Sequence, residues 1–521
     1  MTTRRLAILL GLAISFGSSP AATLHVAQAG DATSMDPHSL NETMQLGFLG
    51  NIYEPLVARD KTLALTPGLA TTWRRISPTV WRFSLRKGVT FHDGSPFGSD
   101  DVVFSFKRAM GDGSDMKPFT SGIKEVRKVD DLMVEIETLE PYPILPDVLS
   151  EVYMMSHKWC EANKAERPVD KRKGVENAAS FKTDGTGPYR LKERQPGSRT
   201  VLVRNAQWWG KAEGNVDEVV FTPIASDPTR VAALLSGEVD VIEPVPLQDI
   251  DKIKADPALK VMQGPELRTI FIGMDQKRDE LKGSNVKGRN PFKDRRVRLA
   301  LYEAIDIEAI RTKIMRGAAT PTALPLAPGV NGFAADLNKR APYDVEGAKK
   351  LLAEAGYPTG FEVPMNCPND RYVNDEQICQ ALAANWARIG VKIDLQLEST
   401  SIYFPKVLRR DTSLYLLGWT PATYDAHNVL LSLLQTPSAT TGTFNLGSYS
   451  NPKVDELIGR IQSEVDPDQR LRLIHEALKL QQDDVAMLPL HQQALAWGMK
   501  RGVTLVQPAD DTMPYKWVNL K

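Results

Sequence analysis

Apolar residues fall at every second position in some stretches of this chain and at every third or fourth in others. Residues 80–86 place Trp81, Phe83 and Leu85 on one face and Arg82, Ser84 and Arg86 on the other, the pattern of a half-buried strand. Residues 99–110 follow with helical spacing. Val102, Val103, Phe106 and Met110 form the stripe, Ser99 is placed to cap it, and Asp100 and Asp101 complement the positive end of its dipole. Leu132, Val134 and Ile136 mark a further alternating strand. Asp227-Pro228 opens a second helix that Gly237 closes, and Val239, Val241 and Ile242 continue as a strand. A third helix is capped by Asp344, carries Val345, Ala348, Leu351, Leu352 and Ala355, and stops at Gly356.

The most complete strand–helix–strand unit comes next. Residues 361–365 read as a strand, and 375–389 as a helix with Ile378, Leu382, Trp386 and Ile389 inward. Val391, Ile393, Leu395 and Leu397 then alternate with Lys392, Asp394, Gln396 and Glu398. Strands alternating with helices predict an α/β fold with parallel or mixed sheets. No fixed-period repeat and no low-complexity segment interrupts it.

Length changes this picture, because 521 residues exceed what one core organises and call for two to four units. Charge narrows the partners. Lys+Arg and Asp+Glu both count 64, so no net field holds nucleic acid or an anionic membrane. The amino terminus reads as an address. Arg4 and Arg5 precede an apolar run at 6–16 that is too short to span a bilayer, and Ser19-Pro20-Ala21 offers small residues for cleavage after Ala21, with Ala22 as the neighbouring choice. Ala7 stands where a twin-arginine signal has a bulky apolar residue, so general secretion is expected. With no Cys directly after the cut and no later apolar run of spanning length, the expectation is a free periplasmic protein. Three cysteines are too few for a disulfide scaffold. Cys367 and Cys379 either pair across a short loop or are two small buried residues, and Cys160 is left over.

Motifs for catalysis are missing: no G-x-S-x-G, no G-x-x-x-x-G-K-[ST] and no G-x-G-x-x-G. No two of the seven histidines stand at metal-ligand spacing. These absences favour a binding protein without a cofactor over an enzyme.

One ordered series of residues points to a family. It runs Ala70-Thr71-Thr72-Trp73, then Trp81-Arg82-Phe83-Ser84-Leu85-Arg86-Lys87-Gly88-Val89-Thr90-Phe91-His92-Asp93-Gly94-Ser95-Pro96, then Asp101-Val102-Val103-Phe104-Ser105. It resembles the signature of family 5 extracytoplasmic solute-binding proteins, the peptide- and nickel-binding components of ABC importers. Gly185-Thr186-Gly187-Pro188-Tyr189, Asn205-Ala206-Gln207-Trp208-Trp209, Ser236-Gly237-Glu238-Val239-Asp240 and Ser450-Asn451-Pro452-Lys453-Val454-Asp455 extend the likeness over the mature chain. Most of these blocks read as structural. His92-Asp93-Gly94 and the Gly185/Gly187 pair read as turns, and Trp208-Trp209 as core.

The resemblance implies a two-lobed periplasmic binding protein with an extra domain. Lobe I would comprise 23–58, 191–270 and 489–521, the extra domain 59–190 and lobe II 271–488, with crossings near Phe271 and Pro489. A peptide-like ligand would lie between the lobes of a monomer that delivers it to an inner-membrane ABC permease. Two segments are similar to ligand-reading parts of the family. In Asn366-Cys367-Pro368-Asn369-Asp370-Arg371-Tyr372, Arg371 would hold a ligand carboxylate and Tyr372 form a wall; the alternative is that Arg371 bridges to Asp370 or Asp375. The other spans Trp419-Thr420-Pro421-Ala422-Thr423-Tyr424-Asp425-Ala426-His427. Peptide binders place an ammonium-binding aspartate three residues after the Trp, where this chain has Ala422. Asp425 either takes that role or caps the helix starting near His427. The Trp419, Tyr424, Asp425 and His427 set also resembles nickel-chelate binders, although one His makes no site for a bare ion. A chelate, opine, glutathione-like compound, haem or oligosaccharide is therefore the alternative ligand.

Overall fold

The computed structural model describes residues 22–170, 175–438 and 441–521. The expected signal peptide lies outside these residues. Two long strands, Leu259–Met274 and Leu488–Lys500, form the spine of an eleven-stranded mixed sheet. They run antiparallel along each other but serve different neighbours at their two ends. At one end Leu488–Lys500 pairs with Val241–Glu243, and the sheet continues through Thr23–Gln28, Glu218–Pro223, Arg199–Arg204 and Tyr189–Gln195. At the other end Thr269–Met274 pairs with Leu414–Trp419, followed by Glu362–Pro368 and Lys392–Glu398. The ladder between the spine strands breaks between Pro265 and Thr269, opposite Ala494 and Gln492. This step lies on the amino-terminal side of Phe271 and the carboxyl-terminal side of Pro489.

The strand–helix–strand unit is Glu362–Pro368, Asp375–Ala387 and Lys392–Glu398, with the two strands paired in parallel. Ile378, Leu382 and Trp386 are fully buried on the inward face of its helix. Cys367 ends up opposite Cys379, and the two are joined in a disulfide with Cα atoms 6.6 Å apart. Cys160 is a buried free thiol, pushed up to about 12 by burial. Asp344 caps Val345–Glu354 by accepting from the Gly347 N–H.

A separate four-stranded antiparallel sheet (Ala70–Ser77, Val80–Leu85, Met133–Thr138, Ile123–Asp130) packs against the helix Ser99–Met110 around its own apolar cluster. Gly98, not Ser99, is the capping position of that helix. The Ser99 hydroxyl instead donates to the Asp130 carbonyl, tying helix to sheet. Gly94 adopts φ 89°, as a tight turn requires. Gly185 and Gly187 owe their identity to a close approach. A Cβ at either would lie 2.1 Å or 2.6 Å from the Ile52 carbonyl oxygen.

Candidate functional site

The strand Leu414–Trp419 delivers the second candidate segment to the edge of a cavity of about 430 Å³. Five stretches far apart in sequence build its wall. Asn41 to Gly68 and Ser150 to Tyr153 contribute one side, Trp208 to Lys211 another, and Thr420, Pro421, Ala422 and Tyr424 a third; Asp510 to Trp517 completes it. Residues on both sides of the spine therefore face one cavity.

Tyr424 is the best-placed of the sequence candidates. Its backbone takes φ 56°, a left-handed conformation held by a turn in which its N–H donates to the Pro421 carbonyl at 3.0 Å. That conformation sends the ring under the Arg59 guanidinium, 4.0 Å from the ring centre, and the phenol donates to Asp510 Oδ2 at 2.6 Å. Arg59 also donates to Asp147, Ser150, the Leu63 carbonyl and the Thr423 carbonyl. One side chain thus ties the Thr420–Tyr424 turn to the opposite wall.

Asp425 and His427 are in the same loop but turn away from the cavity. Asp425 caps the helix Ala426–Val429 through the His427 N–H at 2.8 Å. Its two oxygens also take Arg470 Nη1 and Nη2 at 2.8 Å and 2.7 Å and Asn331 Nδ2 at 2.7 Å. Burial opposes its charge, yet the Arg470 hydrogen bonds and charge outweigh it and hold the carboxyl below its ordinary value. No oxygen is left for a ligand ammonium, so the geometry supports the capping alternative. The His427 ring is buried, and burial pushes it down to about 4, so it is neutral near pH 7.

Arg371, Tyr372 and Trp419 also stand off the cavity wall. Neither acid proposed to bridge Arg371 does so through its side chain. Asp370 accepts from the Thr400 N–H and hydroxyl, while Asp375 accepts from the backbone N–H groups of Arg371 and Tyr372, both at 2.9 Å. The Arg371 guanidinium lies 5.3 Å from the centre of the Tyr372 ring, and Tyr372 is buried against Gly418. Trp419 donates its indole N–H to Asn428 at 3.0 Å and packs on Phe444.

The sequence reading missed most of the remaining wall. Trp208 and Trp209, taken as core, are half-buried and face the cavity. Buried Glu54 fixes both by accepting their indole N–H groups at 3.1 Å and 2.8 Å, with the Thr186 hydroxyl at 2.9 Å. Glu151, Asp510, Lys516 and Trp517 complete the polar and aromatic lining. Only the adjacent tryptophans in a turn gave a local signal. Among the described residues, no cluster of three His, Cys, Asp or Glu side chains is arranged to hold a metal, and no helix is long and apolar enough to cross a membrane.

A mixed sheet in two halves joined by two shared strands, with a cavity walled from both, defines a two-lobed solute-binding protein. The model of bacterial extracellular solute-binding proteins, family 5, middle region, matches residues 64–441, and the chain belongs to that family. It is 24% identical over 508 residues to the glutathione-binding protein GsiB of Shigella flexneri serotype 5b, covering 95% of each chain. Similar solved structures include the periplasmic binding protein DppA of Helicobacter pylori in complex with the peptide STSA, at TM-score 0.80 and 22% identity, covering 96% of this chain and 98% of that one. NikZ of Campylobacter jejuni in complex with Ni(L-His) superposes at TM-score 0.79 and 19% identity, covering 94% and 96%. The protein is thus the solute-binding component of an ABC importer and not an enzyme.

Proposed function

We propose that the cavity captures a small peptide-like solute and that the protein hands it to the inner-membrane permease. The observation that carries this reading is the lining. Aromatic walls from Trp208, Trp209, Trp517 and Tyr424 surround side chains of both charge signs, a combination suited to amide-linked polar compounds. GsiB is named for glutathione and DppA is bound to a tetrapeptide, which supports the same class. The protein acts as a monomer, freed into the periplasm by cleavage after Ala21. Its lobes and extra domain would follow the division at 59–190 and 271–488, with crossings near Phe271 and Pro489, and the nearby ladder break between Pro265 and Thr269 supports that reading.

A second reading rests on Ala422, which lines the cavity without a charge where peptide binders carry an aspartate. It replaces the peptide with a chelate or an opine. Native mass spectrometry of the purified protein, followed by thermal-shift assays against peptides, glutathione, opines and metal–histidine chelates, separates the two. Stabilisation by peptides or glutathione is the expected result. A response confined to chelates or opines would transfer the assignment to the second reading.

A further inference from the structure

Among the described residues, the cavity wall carries charges of both signs that form no ion pair. Lys516 stands on the short 3-10 turn Tyr515–Trp517, its Nζ 5.5 Å from the centre of the Trp208 ring and 5.2 Å from that of Trp517. Among the described residues no carboxylate comes within ion-pair distance of it. Glu54, the acid it feels most strongly, has its oxygens engaged by two indoles and a hydroxyl, and Glu213 is bound by Lys61 at 2.6 Å. Burial lowers the lysine's proton affinity, as it does for an ammonium without a counter-ion.

Glu151 is the complementary case. Among the described residues its carboxyl accepts one hydrogen bond, from the Ser150 hydroxyl at 3.3 Å. Arg59 lies near, but its guanidinium is directed to Asp147, Ser150 and two carbonyls. Asp510 stands close to Glu151 and, among the described residues, forms no ion pair, holding the Tyr424 phenol and Thr512 instead. Two acids thus face the cavity beside Arg59 but without an ion pair to it, while Lys516 faces it from the tail segment, also without an ion pair among the described residues.

We propose that the cavity reads a zwitterion, with Lys516 binding its carboxylate and Glu151, reinforced by Asp510, binding its ammonium. This rests on the peptide-like reading and adds the chemistry and direction of binding. Charges withdrawn from water without partners are costly, so a solute that supplies both counter-charges is favoured over one that supplies neither. The indole walls keep water from the carboxylate and strengthen the contact. Ammonium recognition from Glu151 also makes an acid at position 422 unnecessary.

Titration calorimetry with tri-L-alanine, its carboxyl-terminal amide and its N-acetyl form tests the assignment. Wild-type protein should prefer the zwitterion to either masked form by about 30-fold or more. Lys516→Met should abolish discrimination against the amide while keeping discrimination against the acetylated form; Lys516→Arg should restore the former. Glu151→Gln should do the reverse of Lys516→Met. Thermal melts without solute check that the variants are folded. Equal binding of free and masked peptides to the wild type overturns the proposal, as does a Lys516→Met variant that weakens all three peptides equally. Absence of binding by all three would instead overturn the peptide reading beneath it.

Discussion

Asp425 and Glu151 are two carboxylates withdrawn from water in different regions of one molecule, and their surroundings differ sharply. In the loop after Trp419, Asp425 meets a guanidinium, an amide and a helix amino terminus. Around Glu151, following the helix Leu145–Leu149, one hydroxyl bonds the carboxyl and Arg59 lies near without pairing it, and burial outweighs both and pushes the carboxyl up to about 7. Burial acts in the same direction on both, and partners decide the outcome. The satisfied acid supports the fold and the unsatisfied one is left for a solute.

The largest expected effect breaks the satisfied member. Asp425→Ala strands the buried Arg470 charge and removes the cap, and should destabilise the solute-free protein by about 3–5 kcal/mol in urea unfolding. A loss under about 1 kcal/mol would mean that the Arg470 pair contributes little. Tyr424→Phe comes next. It deletes the hydrogen bond to Asp510 that joins the Thr420–Tyr424 turn to the tail. Stability of the solute-free protein should fall by about 1.5–3 kcal/mol in urea unfolding. An unchanged unfolding midpoint would mean that this bond does not brace the turn.

Acidity sharpens the comparison from the other side. Glu151 is neutral below about 7 and charged above, and an ammonium favours the charged form. Affinity for tri-L-alanine should therefore rise from pH 5.5 to 7.5, by about 1.4 kcal/mol per unit at the steepest. In Glu151→Gln the slope should vanish; a slope that survives would belong to another group. The smallest effect is expected at Arg371, off the cavity wall. Arg371→Ala should change affinity by less than about 0.5 kcal/mol, whereas a loss of about 2–5 kcal/mol would make Arg371 the carboxylate reader in place of Lys516.

Local pattern carried the fold well. Ile378, Leu382 and Trp386 recur at helical spacing, and Gly356 ends a helix with φ 88° because its side-chain-free backbone allows it. Close approaches between distant segments had no such signature. The Ile52 carbonyl that excludes a side chain at Gly185 and Gly187 lies over a hundred residues away, so the glycines read as turn residues. The site divides in the same manner. Tyr424 was legible from its loop, but Glu54, Glu151, Lys516 and Trp517 belong to segments that only the tertiary fold assembles. Asp425 looked available because its partner Arg470 is 45 positions further along the chain.

The broken ladder between Pro265 and Thr269 has a mechanical consequence. Both halves of the large sheet share the same two strands, so relative movement of the halves must bend continuous backbone. The interval contains Glu266 and Arg268, whose ion pair at 3.0 Å braces the point where the ladder is interrupted. Such a joint behaves as a leaf spring more than as a tether. Movement of one half is passed to the other through two unbroken strands.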